Sequence, residues 1–215
     1  TASLLGCNWF VYIYAVNTDQ VIEASLGYYI NPLLNVLMGF IFLRERLNFM
    51  QCIALGLATL GVLNFLWDFR SLPWIALTLS FTFSIYGLLR KVIPVKPLVG
   101  LLIETVLFAP LAIIMISFWM IDGSGSFGKK WETDFLLIGA GVVTSLPLLW
   151  FVNAAKLLRY TTMGFFQYLA PSLNLLLGIL IYNEPFTQAH IITFSLICSG
   201  LTIFSVNSLN QKQSI

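Results

Sequence analysis

The sequence predicts an all-α, polytopic transmembrane helix bundle built from inverted five-helix repeats. Three observations predict it. The composition is charge-poor and apolar, charge-free stretches of membrane-spanning length recur along the chain, and one residue pattern returns at a fixed offset of 139 residues.

Charged residues make up 9% of the 215 and hydrophobic residues 59%, with a mean hydropathy of +0.89. A soluble domain carries about 25% charged residues. At this size too much surface faces the solvent for a water-soluble fold to hide that apolar excess. Lipid must therefore be the solvent for much of the chain. The net charge of +2 offers no basic footprint for nucleic acid. Cys7, Cys52 and Cys198 sit in apolar runs without ligand spacing, which argues against a disulfide framework or a zinc site. The opening Thr1-Ala2-Ser3 has no basic segment before an apolar one, so it is not a signal peptide. It reads as a chain that begins inside a helix.

About 20 apolar residues cross about 30 Å of hydrocarbon at 1.5 Å per residue. Stretches of that kind lie at 24–43, 47–67, 71–89, 135–155, 160–183 and 191–211. Residues 1–18 form a shorter one, polar at its end, and 97–121 forms one with a single carboxylate, Glu104. Eight spans are expected. Strict alternation of apolar and polar residues is missing from them, which argues against barrel strands.

Direction follows from the basic residues of the loops. One side receives Arg44, Arg46, Arg90, Lys91, Lys96, Lys156, Arg159 and Lys212; the other receives Arg70, Lys129 and Lys130. The first side is expected to be cytoplasmic, together with the C-terminal tail, and 122–134 becomes the longest external loop.

Pro32, Asn35, Gly39 and Glu45 recur as Pro171, Asn174, Gly178 and Glu184, each 139 residues on, and Ala15, Tyr29 and Gly61 recur as Ala154, Tyr168 and Gly200. Five spans separate the copies, so the copies must cross the membrane in opposite directions. Inverted repeats of this kind build several classes of secondary transporter, with a substrate site near the midplane between them. The expected units are 1–70, the last three helices of a first repeat; 71–207, a complete second repeat; and 208–215, a cytoplasmic tail. By symmetry two helices, roughly 65–70 residues, would precede residue 1 in a ten-span protein.

On the fourth span of each unit, helical spacing aligns Tyr28, Pro32, Asn35 and Gly39, and likewise Gln167, Pro171, Asn174 and Gly178. Amides in hydrocarbon need partners, so this face should meet a cavity or another helix. Packing and cavity lining both remain open. Asn31, Trp150 and Tyr168 join the candidate cavity residues, while Pro32 and Pro171 are candidate kinks because each removes a helical hydrogen bond. Glu104 is a carboxylate within a span, and such residues usually carry function. Proton coupling is its first candidate role and a headgroup-facing position its alternative. Glu45, Glu184 and His190 read as boundary or interfacial residues. Metalloprotease, P-loop, dinucleotide and nucleophile-elbow signatures are missing, which argues against an enzyme. No cofactor or metal is expected.

The segments Glu23-Ala-Ser-Leu-Gly-Tyr-Tyr-Ile-Asn-Pro-Leu33, Leu102-Ile-Glu-Thr105 and Gly164-Phe-Phe-Gln-Tyr-Leu-Ala-Pro-Ser172 resemble the RarD permeases of the EamA branch of the drug/metabolite transporter superfamily. Leu43-Arg-Glu-Arg-Leu47 and Ser71-Leu-Pro73 add to the likeness, which covers nearly the whole chain. The resemblance implies a bacterial inner-membrane permease of ten helices in two inverted halves, with a central substrate cavity. It implies a lipid bilayer and a small metabolite or drug-like molecule as partners, with protons as a candidate coupling ion. A non-transporting membrane assembly protein is the alternative, favoured if the polar stripes only pack helices.

Overall fold

Apolar runs in a solvent that offers backbone groups no hydrogen bonds must become helices, and the structure, a computed structural model, is helical along its described length. It describes residues 1–67, 73–173 and 188–212. Eight helices are described: α1 (Ala2–Asn17), α2 (Val21–Phe42), α3 (Phe49–Trp67), α4 (Trp74–Val92), α5 (Pro97–Ile121), α6 (Trp131–Leu157), α7 (Tyr160–Gln167) and α8 (Gln188–Lys212). Among the described residues four helices are long and apolar enough to cross a membrane: Glu23–Phe42, Trp74–Val92, Pro97–Ile121 and Trp131–Leu157. Phe49–Asn64 and Ile191–Asn207 are shorter apolar helices. The protein is a multi-pass membrane protein of the all-α class.

Helix ends depart from the apolar runs where capping chemistry takes over. Asn48 stops α3 from starting at Leu47: its Oδ1 accepts the Gln51 N–H at 2.8 Å, and Gln51 Oε1 accepts the Asn48 N–H at 3.1 Å. This reciprocal cap satisfies two backbone donors left over at the helix start. Asn48→Ala should cost about 1 kcal/mol, read as a lowered midpoint in reversible unfolding in bicelles. α6 begins at Trp131, before the expected 135, because Glu132 and Asp134 in its first turn suit the positive end of the helix dipole. α4 runs on to Val92 because Arg90 and Lys91 suit the negative end. The expected span 160–183 is interrupted at Tyr168, with helix again at 169–173 and the rest outside the described residues. α7 ends at Gln167, whose carbonyl would have received the N–H that Pro171 lacks. Pro32, by contrast, lies within a continuous α2. Asn174, Gly178 and Glu184 fall outside the described residues.

Small residues set the closest helix contacts. A Cβ on Gly61 would lie 3.1 Å from the Thr193 carbonyl oxygen, and one on Gly200 would lie 2.8 Å from that of Ala54. Gly61 and Gly200 are 139 residues apart, and so are Ala54 and Thr193. Contacts of 54 with 200 and 61 with 193 show that α3 and α8 run antiparallel. The same order holds for α2 and α7, where Gly39 meets Thr161 and Pro32 meets Gly164. α4 packs against α1 and α2, burying Ile75 with Ala15 and Ala24, and Ala76 with Leu26.

Lys91, Lys156, Arg90 and Arg159 make their contacts at one end of the bundle. Lys91 Nζ, at the end of α4, donates to the Ala155 and Leu158 carbonyls at the end of α6, at 2.7 and 2.5 Å. Lys156 returns the arrangement, donating to the Ile93 carbonyl at 3.0 Å and to that of Val95. Each lysine thus satisfies carbonyls at or just beyond the other helix's C-terminus, where cations are favoured. Arg159 Nη2 donates to the Arg46 carbonyl at 2.5 Å, and Arg90 Nη2 to that of Pro97 at 2.7 Å. Asn48 Nδ2 reaches Asn207 Oδ1, which brings the end of α8 to the same place.

Candidate functional site

The four-residue motif on α2 explains itself once α7 is placed beside it. Arg44 turns the chain left-handed with φ 52°, and the Glu45 N–H returns to the Gly39 carbonyl at 3.1 Å. That fold-back aims the Glu45 carboxylate across the gap left by the missing Gly39 side chain. Its two oxygens accept the backbone N–H groups of Tyr160 and Thr161, at 2.7 and 2.8 Å. A carboxylate from one helix therefore caps the start of another, where orphan donors and the dipole both favour it. Asn35, four residues before Gly39, is fully buried. Its Nδ2 donates to Gln167 Oε1, and its Oδ1 lies 2.9 Å from the Tyr160 hydroxyl, which is also 2.7 Å from the Ser84 carbonyl. One turn further back, Asn31 Oδ1 accepts the Ser84 hydroxyl at 2.8 Å. The motif ties α2 to α7 and α4 along one polar seam.

Beside this seam lies a cavity of about 810 Å³. Its wall comes from the first halves of α2 and α4, the stretch of α1 from Asn8 to Ile13, the middle of α6, and Gln167, Ala170 and Pro171. Asn8 enters from α1, held by Nδ2 bonds to the Leu79 carbonyl at 2.8 Å and to Thr82 Oγ1 at 2.9 Å. The cavity thus occupies the half of the bundle away from the basic end. The polar contacts of Glu45, Lys91, Lys156 and Arg159 all lie toward the basic end.

Of the residues singled out in the sequence, Tyr28, Asn31, Gln167 and Pro171 line this cavity. Asn35 stands behind Gln167 and reaches the wall through it. Pro32 is buried against Gly164. Three other candidates are placed elsewhere. Trp150 points outward from α6 with 68% of its surface exposed, because the inner face of α6 at that level belongs to Leu148 and Phe151. Tyr168 is buried against Ala58 and Ile197, packing toward α3 and α8. Glu104 is off the cavity wall, buried between α5 and α4, where Tyr86 donates to it at 3.2 Å and Arg90 Nε lies 3.8 Å away. Its headgroup-facing alternative does not hold, because the Arg90 guanidinium fills the space over Gly100 and meets it inside the bundle. Asn174 lies outside the described residues.

Sequence reasoning passed over Tyr160, Ser84 and the capping role of Glu45. The recurrence of Glu45 at the end of the repeated motif was the available signal. Arg90 stands among the loop charges in the sequence, and the need of Glu104 for a cation within reach is the signal that points to it.

Residues 1–67 match the EamA-like transporter family. Over 97% of its length the chain is 48% identical to an uncharacterized transporter of Vibrio cholerae, covering 70% of that protein. It is 47% identical to Protein RarD of Escherichia coli over 99% of this chain and 72% of the relative. It is 41% identical to the uncharacterized transporter YojE of Bacillus subtilis, over 98% of this chain and 70% of that one. The chain belongs to the RarD family of EamA-like transporters. Membership makes this RarD-family chain a membrane transporter of a small molecule.

Proposed function

We propose that the chain moves its small-molecule substrate across the bacterial inner membrane by alternating access, with the cavity as the binding site and the polar contacts at the basic end as a closed gate. Loop charges support a cytoplasmic position for that end, together with the C-terminus. The observation that carries the reading is the one-sided placement of cavity and contacts. The binding space lies entirely on one side of a closure made by Glu45, Lys91, Lys156 and Arg159. The antiparallel contacts at the 139-residue offset support two inverted units, and exchange of conformation between such units would open the opposite end. On this reading 1–70 and 71–207 belong to the two units.

The test is sided labelling. A single cysteine at Thr144, in the cavity wall, is placed in a chain whose three native cysteines are replaced, and a membrane-impermeant maleimide is applied to either face. Labelling from the external face should dominate. Glu45→Gln removes one acceptor of the α7 cap, worth about 1 kcal/mol, and should raise cytoplasmic labelling about fivefold. Equal labelling from both faces of the parent, or labelling only from the cytoplasm, would defeat the proposal.

A further inference from the structure

We infer that the cavity takes an uncharged aromatic molecule that carries a hydrogen-bond acceptor, gripped between ring walls and oriented by Asn31 and Gln167. The inference rests on the reading of this cavity as the substrate site. It names the substrate by what the wall offers and withholds.

Among the described residues, no Asp, Glu, Lys or Arg lines the cavity. The carboxylates carried by α2 and α5 are engaged elsewhere. Glu23 accepts the Ile75 N–H at 2.8 Å, and Glu104 is held by Tyr86 and Arg90 between α4 and α5. A charged ligand entering here would shed hydration and, among the described residues, meet no counter-charge, which low-dielectric surroundings penalise severely. Neutral ligands escape that penalty.

What the wall does offer is rings and amides. Trp9 and Tyr28 face the space from α1 and α2, and Phe83 and Phe151 close it with their centroids 4.9 Å apart. Such faces favour a flat ring in offset or edge contact. The amides of Asn31 and Gln167 each have an oxygen in use, one taking the Ser84 hydroxyl and the other the Asn35 amide. Among the described residues, neither amide nitrogen has a protein acceptor, and neither is a sealed, buried atom. Two fixed donors therefore await an acceptor, the pattern of a largely apolar pocket with a few placed polar groups. At about 810 Å³ the space suits a molecule of drug-like size.

Three probes that share one ring separate charge from shape: indole-3-acetamide, indole-3-acetate and tryptamine, titrated calorimetrically into the purified chain in lipid nanodiscs. The amide should bind at least about tenfold tighter than either charged probe. Gln167→Leu should weaken it about tenfold. Thr144 bonds only to carbonyls of its own helix and is exposed on the cavity wall, so Thr144→Asp adds a charge without removing a packing contact. It should reverse the order in favour of tryptamine, a change that loss of folding cannot imitate. Equal or tighter binding of either charged probe by the parent chain, or no binding of any probe at its solubility limit, overturns the inference. Preference for the amide with failed sided labelling leaves the ligand class standing and removes alternating access. Successful sided labelling with a charged probe preferred does the reverse.

Discussion

Replacing Glu104 by Gln is expected to destabilise the folded chain by about 3–5 kcal/mol, the usual cost of stripping one partner from a buried ion pair. Arg90 and Glu104 are each almost sealed, with side chains 4% exposed and Nε 3.8 Å from Oε1. Neither of those two atoms has a hydrogen bond of its own. Gln keeps an oxygen for the Tyr86 hydroxyl but not the charge, so the guanidinium is left buried with only the Pro97 carbonyl to receive it. Removing the cation as well should return much of the loss, because a paired charge competes poorly with a well-packed apolar side chain. A double-mutant cycle of Arg90→Met and Glu104→Gln, followed by reversible unfolding in bicelles, measures the coupling. A Glu104→Gln loss below about 0.5 kcal/mol would show that water reaches the pair, since exposed pairs contribute little.

Gly164→Val is expected to cost about 1–3 kcal/mol through overpacking and to abolish binding in the cavity. A Cβ at this position would stand 2.7 Å from the Pro32 carbonyl oxygen and 2.9 Å from Val36 Cγ2. A backbone carbonyl cannot swing aside as a side chain end can, so α2 and α7 must separate. Separation breaks the Asn35–Gln167 bond and frees the amide proposed to orient the ligand. Gly139→Ala is the control. No atom lies within 4 Å of its added Cβ, and Ala improves helix propensity by up to about 1 kcal/mol, so stability should hold or rise with binding unchanged. Loss of binding in both variants would show that the effect is not specific to the α2–α7 contact.

These two sites show how differently parts of the molecule can be read from residues alone. Gly39 and Glu45 were visible as repeated letters, but their joint purpose was not. It depends on Arg44 adopting a left-handed turn and on Tyr160 and Thr161 arriving from far along the chain. Tyr28, Asn31 and Gln167 were legible as polar interruptions of apolar spans, since each needs something other than lipid beside it. Trp150 was misleading for the opposite reason. A large ring is welcome in a pocket and in hydrocarbon alike, so its chemistry does not choose between them.

Composition and loop charge by themselves determined that this protein lives in lipid, that it is helical, and which ends of its helices gather together. Solvation and hydrogen-bond demand act on each segment separately, so a segment's own residues suffice to decide them. Only the tertiary structure decided that Glu104 faces Arg90, that Glu45 closes the start of α7, and that Asn31 and Gln167 share a wall. Those facts depend on how each helix is rotated about its axis. A helix apolar on every side carries little record of which side turns inward; close contacts between glycines and carbonyls on neighbouring helices set that angle instead.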